Sequence, residues 1–372
     1  MTTRENFTAT SEARIAAGRS SAAISRHDAA LQRYLGAQQK ASLSRPLDVE
    51  PTYPPAGRVP LLSEIHSAPP TLTPRAERAA EPTQRTDLVV VGVDGSAHAR
   101  RAAEWAAAEA ANRHAPLRLV YAYQLPVAGY AGYSMAPSDL GRVMRAEGRR
   151  MLSDVAEDLR GRHPGLDVHT RLFQGDAVVA LRRASETARL TVVGSRGQSR
   201  VAGTLLGSVA LAITAHGSAP VAVIPGDGPG WTITGPVVVG VDGSPTSNAA
   251  LDFAFEEAAV RGAPLVAVHA WSDSRPTLAD VSSSDYARLE ESERALLAEQ
   301  LAPWRHKHPD VEMISVVAHG KPTPALLEQG QQAQLLVVGS RGRGGFTGML
   351  LGSTSHSLIT HALCPVVVVR PS

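Results

Sequence analysis

The 372-residue chain holds a single cysteine, Cys364. One thiol cannot close a disulfide within the chain, so a disulfide-stapled scaffold is excluded and a reducing compartment is the expected setting. A surplus of charge of one sign is missing too. The 37 basic and 35 acidic residues leave a formal charge of +2, unlike a nucleic-acid binder with a clustered basic face. Lysine is scarce, and nearly all the basic residues are arginine. No apolar run approaches the ~18 residues of a membrane span. The first stretch, "MTTRENFTATSEARIAAGRS", lacks the apolar core of a secretory signal. These absences lead us to expect a soluble cytoplasmic protein that partners neither nucleic acid nor membrane.

Residues 1–86 read differently from the rest. Stretches such as "PLDVEPTYPPAGRVP" cannot be helix interiors, because each proline removes a donor and clashes with the preceding turn. The segment carries too little apolar surface to offset its ordering entropy, and mostly disordered chain is expected. One helix is expected over residues 21–39, where Ile24, Ala30, Leu31 and Leu35 fall near one face.

From Asp87 onward the chain alternates apolar runs with helical patterns, and it does so twice. "DLVVVGVDGSAHARRAAEWAAAEAANRHAPLRLVYAY" is matched from Gly235 by "GPVVVGVDGSPTSNAALDFAFEEAAVRGAPLVAVHAW". Each reads as strand, tight turn, helix and second strand. Runs such as Val89–Val91 and Val237–Val239 suit strands buried on both faces of a parallel sheet. Ser96 and Ser244 suit helix N-caps. A helix over 139–162, a third strand, a helix, a fourth strand, a helix and a fifth strand complete the first copy, and the second copy follows suit. Alternating β and α elements predict an α/β fold, a parallel sheet with helices on both faces. The expected organisation is an extension over 1–86 and duplicated domains over 87–228 and 235–372.

In open α/β sheets ligands sit beyond the carboxyl ends of the strands. Two features of each copy end there. The first strand runs into Gly92–Val93–Asp94–Gly95–Ser96, or Gly240–Val241–Asp242–Gly243–Ser244. The fourth runs into a glycine arm, "VVGSRGQSRVAGTLLGS" or, about 145 residues later, "VVGSRGRGGFTGMLLGS". Gly194 and Gly197 let the backbone turn and approach a ligand. Gly207 and Ser208 fall at a helix start, where unpaired N–H groups and the dipole favour an anion. Gly339, Gly342, Gly352 and Ser353 repeat these parts, with Ser195 and Ser340 inside the two arms. Arg196 and Arg341, with Arg200 in one copy and Arg343 in the other, are candidates for phosphate oxygens. The arm thus reads as a phosphate cradle; the competing reading is a glycine-rich turn that only closes the fold. Asp94 and Asp242 suit a ribose hydroxyl or adenine amine, and equally an Asp-Gly turn.

At these residues the chain resembles the universal stress protein family, whose nucleotide-binding members carry G-x2-G-x9-G-[ST]. Gly194-x2-Gly197-x9-Gly207-Ser208 fits, as does Gly339-x2-Gly342-x9-Gly352-Ser353. The "VGVDGS" turn and the last strands "APVAVIP" and "CPVVVVRP" match as well, from 87 to 372. The resemblance implies two tandem Rossmann-like (adenine nucleotide hydrolase-like) domains, each a five-stranded parallel sheet, binding ATP with or without Mg2+. Cyclic AMP is the alternative ligand. It also implies that Asp94 and Asp242 meet ribose or adenine, and that the backbone at Ala122 and Ala270 borders the base. Val209 and Thr354 would join the phosphate sites, as would Gly344 and Gly345 in the richer second arm. The first arm departs from that form, with Gln198-Ser199-Arg200 where the second has Arg343-Gly344-Gly345. The family's last strands pair across a two-fold axis. This tandem chain can meet that pairing internally, as a pseudo-two-fold on which a homodimer is built.

No GK[ST] follows the glycines, so this is not a Walker-type loop. No catalytic residue is assigned. His216 and His361 read as helix ends, "HKH" at 306–308 as a solvated helix end, Cys364 as an inert buried thiol, and Trp105, Phe253 and Phe255 as core. The expected function is a nucleotide-dependent stress or regulatory protein with little or no turnover and unidentified protein partners. A slow ATPase or phosphotransferase, and a scaffold with vestigial sites, are the alternatives.

Overall fold

A computed structural model describes residues 86–125, 137–197, 206–226, 232–272, 283–343 and 350–371, all within one compact unit, Glu77–Ser372. The helix expected over 21–39 lies outside the described residues, as do Arg200, Gly344 and Gly345. The first half runs β1 (Val89–Gly92), α1 (Ala97–Asn112), β2 (Leu117–Tyr123), α2 (Pro137–Arg162), β3 (Val168–Gln174), α3 (Ala177–Ser185), β4 (Leu190–Gly194), α4 (Ser208–His216) and β5 (Val221–Ile224). The second runs β6 (Val237–Val241), α5 (Pro245–Arg261), β7 (Leu265–Trp271), α6 (Ser283–Lys307), β8 (Met313–His319), α7 (Pro322–Gly330), β9 (Leu335–Gly339), α8 (Ser353–His361) and β10 (Val366–Val369).

The strands form one ten-stranded sheet in the order β3-β2-β1-β4-β5-β10-β9-β6-β7-β8. Pairing is parallel within each half. At the centre it is antiparallel, with Val366 opposite Val223 and Val368 opposite Val221. The two last strands therefore pair inside one chain. Antiparallel joining also sends the carboxyl rims of the two halves to opposite ends of the sheet.

Alternate strand residues face opposite layers. Val89, Val91, Val237 and Val239 pack under α1, α2, α5 and α6. Val90, Val238, Val223 and Val366 pack under α3, α4, α7 and α8. Both faces are covered, which is why the central strands are unbroken apolar runs. Ser96 accepts from the Ala99 N–H (3.1 Å) and Ser244 from the Ser247 N–H (3.2 Å), so both serve as the expected N-caps. Trp105, Phe253 and Phe255 are buried, as is Cys364, whose thiol burial pushes up to about 12. The long helix of the first half begins at Pro137, not 139. His308 departs from the solvated reading of "HKH": its ring stacks on Phe255, centroids 5.4 Å apart. Among the described residues no helix is long and apolar enough to cross a membrane.

Across the central seam α1 and α5 meet through four charged side chains. Arg113 bonds Glu109 on its own helix and Glu257 on the other. Arg261 bonds Glu257 at 3.1 Å and also Glu109. Both carboxylates are shut off from water, at 1% and 0% exposure. Each guanidinium bridges both, and with both carboxyls ionised the four charges cancel. Breaking such a set by removing one member leaves a buried charge uncompensated and costs about 3–5 kcal/mol. Burial pushes the Glu257 carboxyl up to about 7; Glu109 adds to this, and Arg261 and Arg113 oppose it.

A carboxyl raised in the folded state binds a proton that the unfolded chain has lost. Its contribution to stability falls as pH rises from the unfolded value, 4.5, through about 7. The protein should therefore be less stable above that window than below it, by an amount that depends on Glu257. Urea unfolding of the parent at pH 5 and pH 8 should show it, and Glu257→Gln should flatten the slope. An equal slope in both proteins would refute the assignment.

Candidate functional site

The carboxyl rim of the first half is built from the β1–α1 turn and the arm after β4. β1 hands over to its turn through the Val93 N–H, which donates to the Val120 carbonyl (2.9 Å). Gly95 has φ +84° and Gly243 φ +74°, a left-handed conformation that suits a residue without Cβ. Asp94 Oδ1 accepts from the Ser96 N–H at 2.9 Å, and Asp242 Oδ1 from the Ser244 N–H at the same distance. The Asp-Gly turn reading is therefore realised in both halves. The second carboxylate oxygen points elsewhere. Asp242 Oδ2 accepts from the Arg343 N–H (2.9 Å), so it ties the turn to the arm. A Cβ on Gly197 would lie 2.6 Å from Asp94 Oδ2, and one on Gly342 2.5 Å from Asp242 Oδ2. Those two glycines let the arm close on the carboxylate.

The other glycines divide by role. A Cβ on Gly194 would fall 2.9 Å from the main chain of His98, and one on Gly339 2.9 Å from that of Thr246. Here the missing side chain lets the strand end touch the first turn of α1 or α5. Gly92 packs on Leu181 and Gly240 on Leu326. At these four positions the missing Cβ makes room for a helix of the same half.

Gly207 and Gly352 close the arms. Their N–H groups donate to the carbonyls of Ser195 (2.7 Å) and Ser340 (2.8 Å), the second residue of each arm. Both glycines occupy N-cap positions, with extended φ and ψ and no side-chain cap. The first-turn N–H groups of α4 and α8 are thus left for solvent or an anion. Ser208 and Ser353 stand exposed at those starts, followed by half-buried Val209 and Thr354. Arg196 is half-buried, while Arg341 and Arg343 are exposed. The Arg343 guanidinium lies over Gly243. Thr246 adds a contact that sequence reading missed: its hydroxyl donates to the Arg341 carbonyl.

Ala122 and Ala270 come to the same rims. β2 residues facing β1 alternate with those facing β3. Val120 bonds toward β1 and Tyr123 toward Gly175 on the far side. Ala122 is in phase with Val120, so its N–H and carbonyl point past the end of β1. Ala270 repeats this against β6. On the other side of the strand, burial followed by Glu147 and Asp94 holds the Tyr121 hydroxyl above its ordinary range. Its counterpart His269 lies between the Val241 carbonyl (2.8 Å) and Glu293 (3.0 Å). His216 and His361 end α4 and α8. Among the described residues no cluster of three metal-binding side chains occurs.

A sequence profile of the universal stress protein family matches residues 86–225 and 234–370. A universal stress protein of Mycobacterium tuberculosis is 38% identical over 308 residues, covering 77% of this chain and 96% of its own. The crystal structure of a universal stress protein from Archaeoglobus fulgidus covers 77% of this chain and 97% of its own, at 22% identity and a TM-score of 0.56. A universal stress protein solved in complex with cAMP is 28% identical, covering 39% of this chain and 100% of its own, with a TM-score of 0.28.

Gly194→Ala drives a methyl into helix backbone that cannot swing aside. It should destabilise the protein by about 1–3 kcal/mol. Gly161→Ala on α2 meets nothing within 4 Å and should be neutral or stabilising by up to about 1 kcal/mol. Urea titration of both variants checks the assignment, and equal stabilities would contradict it.

Proposed function

The chain belongs to the universal stress protein family, and on that premise we propose that it binds an adenine nucleotide at each carboxyl rim and acts as a nucleotide-dependent regulatory protein. One observation carries the reading. In each half an uncapped helix N-terminus closes a glycine arm that folds back onto the turn holding Asp94 or Asp242. The phosphates would lie on the first-turn amides of α4 or α8, with Ser208 or Ser353 adding a hydroxyl. The base and ribose would lie toward Ala122 or Ala270, against the aspartate turn. ATP is the preferred ligand, since two helix starts flanked by Arg196 and Arg341 favour a polyanion over singly charged cyclic AMP. Mg2+ would arrive with the triphosphate.

Little turnover is expected. The donors on each arm are main-chain amides, serine hydroxyls and guanidinium groups, none of which is a general base at neutral pH. Asp242 has both oxygens engaged by main-chain N–H groups, which leaves it poorly placed to orient water. The pairing of β5 with β10 is made inside the chain, so a homodimer would use another face.

Ser208→Asp and Ser353→Asp test the sites directly. A carboxylate at a helix start suits the helix dipole but repels phosphate. Each variant should keep the parental melting temperature. Calorimetric titration with ATP should give two sites for the parent, one for either variant and none for the pair. Two sites retained in the double variant would refute the reading. Single-turnover assays with labelled ATP separate binding from slow hydrolysis.

A further inference from the structure

The two rims differ where the last strand of each half ends. β5 is followed by Pro225-Gly226, and the Gly226 N–H donates to the Ser195 hydroxyl at 3.3 Å. The Gly226 carbonyl accepts from Arg101, and the His98 ring lies so close that a Cβ on Gly226 would fall inside it. The chain leaving β5 is thus tied down by contacts within its own half. β10 is followed by Arg370-Pro371 at the matching places. Proline has no N–H to give. Ser340, the counterpart of Ser195, is 0% exposed, and its hydroxyl has no partner among the described residues.

Arg370 puts a cation where the first half has Pro225. Val369 pairs with Gly339, and the Ser340 N–H donates to the Val369 carbonyl at 2.7 Å. Arg370 therefore sits beside Ser340 and Arg341, where the second arm begins. Its Nη1 atom is buried and has no partner among the described residues. No carboxylate among those residues pairs with Arg341 or Arg370. Burial, and then the Arg341 cation, pull the Arg370 guanidinium below the ordinary arginine range. Two like charges at one rim, one partly dehydrated, are unfavourable until an anion lies between them.

We propose that Arg370 is a phosphate-contacting residue of the second rim and, with Arg341, makes that rim the more selective of the two for nucleoside triphosphates. This rests on the nucleotide reading above. The first rim, with Pro225 at the matching position, discriminates less by phosphate number.

The test uses the full chain carrying Ser208→Asp, in which the second rim alone remains competent, titrated with ATP and with AMP. A guanidinium–phosphate contact is charge-assisted, so Arg370→Gln should lower the ratio of ATP to AMP affinity about tenfold. Arg370→Lys should restore part of it. The converse variant, Pro225→Arg in a chain carrying Ser353→Asp, should raise the ratio at the first rim, which keeps the inference testable should Arg370→Gln fold poorly. ATP binding by the parent with a ratio unmoved by Arg370→Gln overturns the inference and leaves the nucleotide reading intact. No nucleotide binding by the unmodified chain overturns both.

Discussion

The antiparallel pairing of β5 with β10 is the constraint from which the architecture follows. Two parallel five-stranded sheets each have one edge that would otherwise lie open to another chain. Joining those edges removes them and places β4, β5, β10 and β9 in the middle of a continuous sheet. Such strands need apolar side chains on both faces, and the sequence supplies valine-rich runs there. Joining in the antiparallel sense also reverses the second half. Its rim faces away from the first, so each rim must be complete within its own half. The residues meet that demand, because every arm contact described is made within the same half.

The alternation of strands and helices and the helix starts were legible because each rests on a short local pattern, whereas the internal pairing of the last strands followed from the family resemblance. "VVVGVDGS" shows a two-sided strand, a left-handed turn and an N-cap within eight residues. The individual glycine roles were not legible. A missing Cβ is the same letter whether helix backbone, a carboxylate or a ligand occupies the space. Only the fold separates Gly194, against His98, from Gly197, against Asp94. The aspartates were ambiguous for a related reason. Asp242 serves the turn with one oxygen and the arm with the other, and no single-residue preference encodes the second contact.

The buried quartet escaped sequence reading entirely. Glu109 with Arg113, and Glu257 with Arg261, are i,i+4 pairs of the kind that decorate exposed helix faces. What distinguishes them is that both copies carry the pair at the same place on the same helix, so a two-fold relation brings the pairs together. His308 was misjudged for a like reason, since its partner Phe255 lies on a helix far away in sequence.

The same two helices connect the quartet to the rims. α1 starts at the Ser96 cap beside Asp94, and its closing residues approach Arg113. α5 starts at the Ser244 cap beside Asp242 and ends at Arg261. Each rim is therefore one rigid helix away from a closed set of four charges at the seam. A helix passes displacement along its axis, and a charge set with no spare partner resists being opened. Contiguity of this sort is not itself coupling, which requires an element with two arrangements that both sites bias. The quartet as described has one arrangement, in which every member is paired. It acts as an anchor that holds α1 and α5 in register. On that basis the two proposed sites are expected to fill independently, with the difference at Arg370, and not communication across the seam, as the proposed source of any inequality between them.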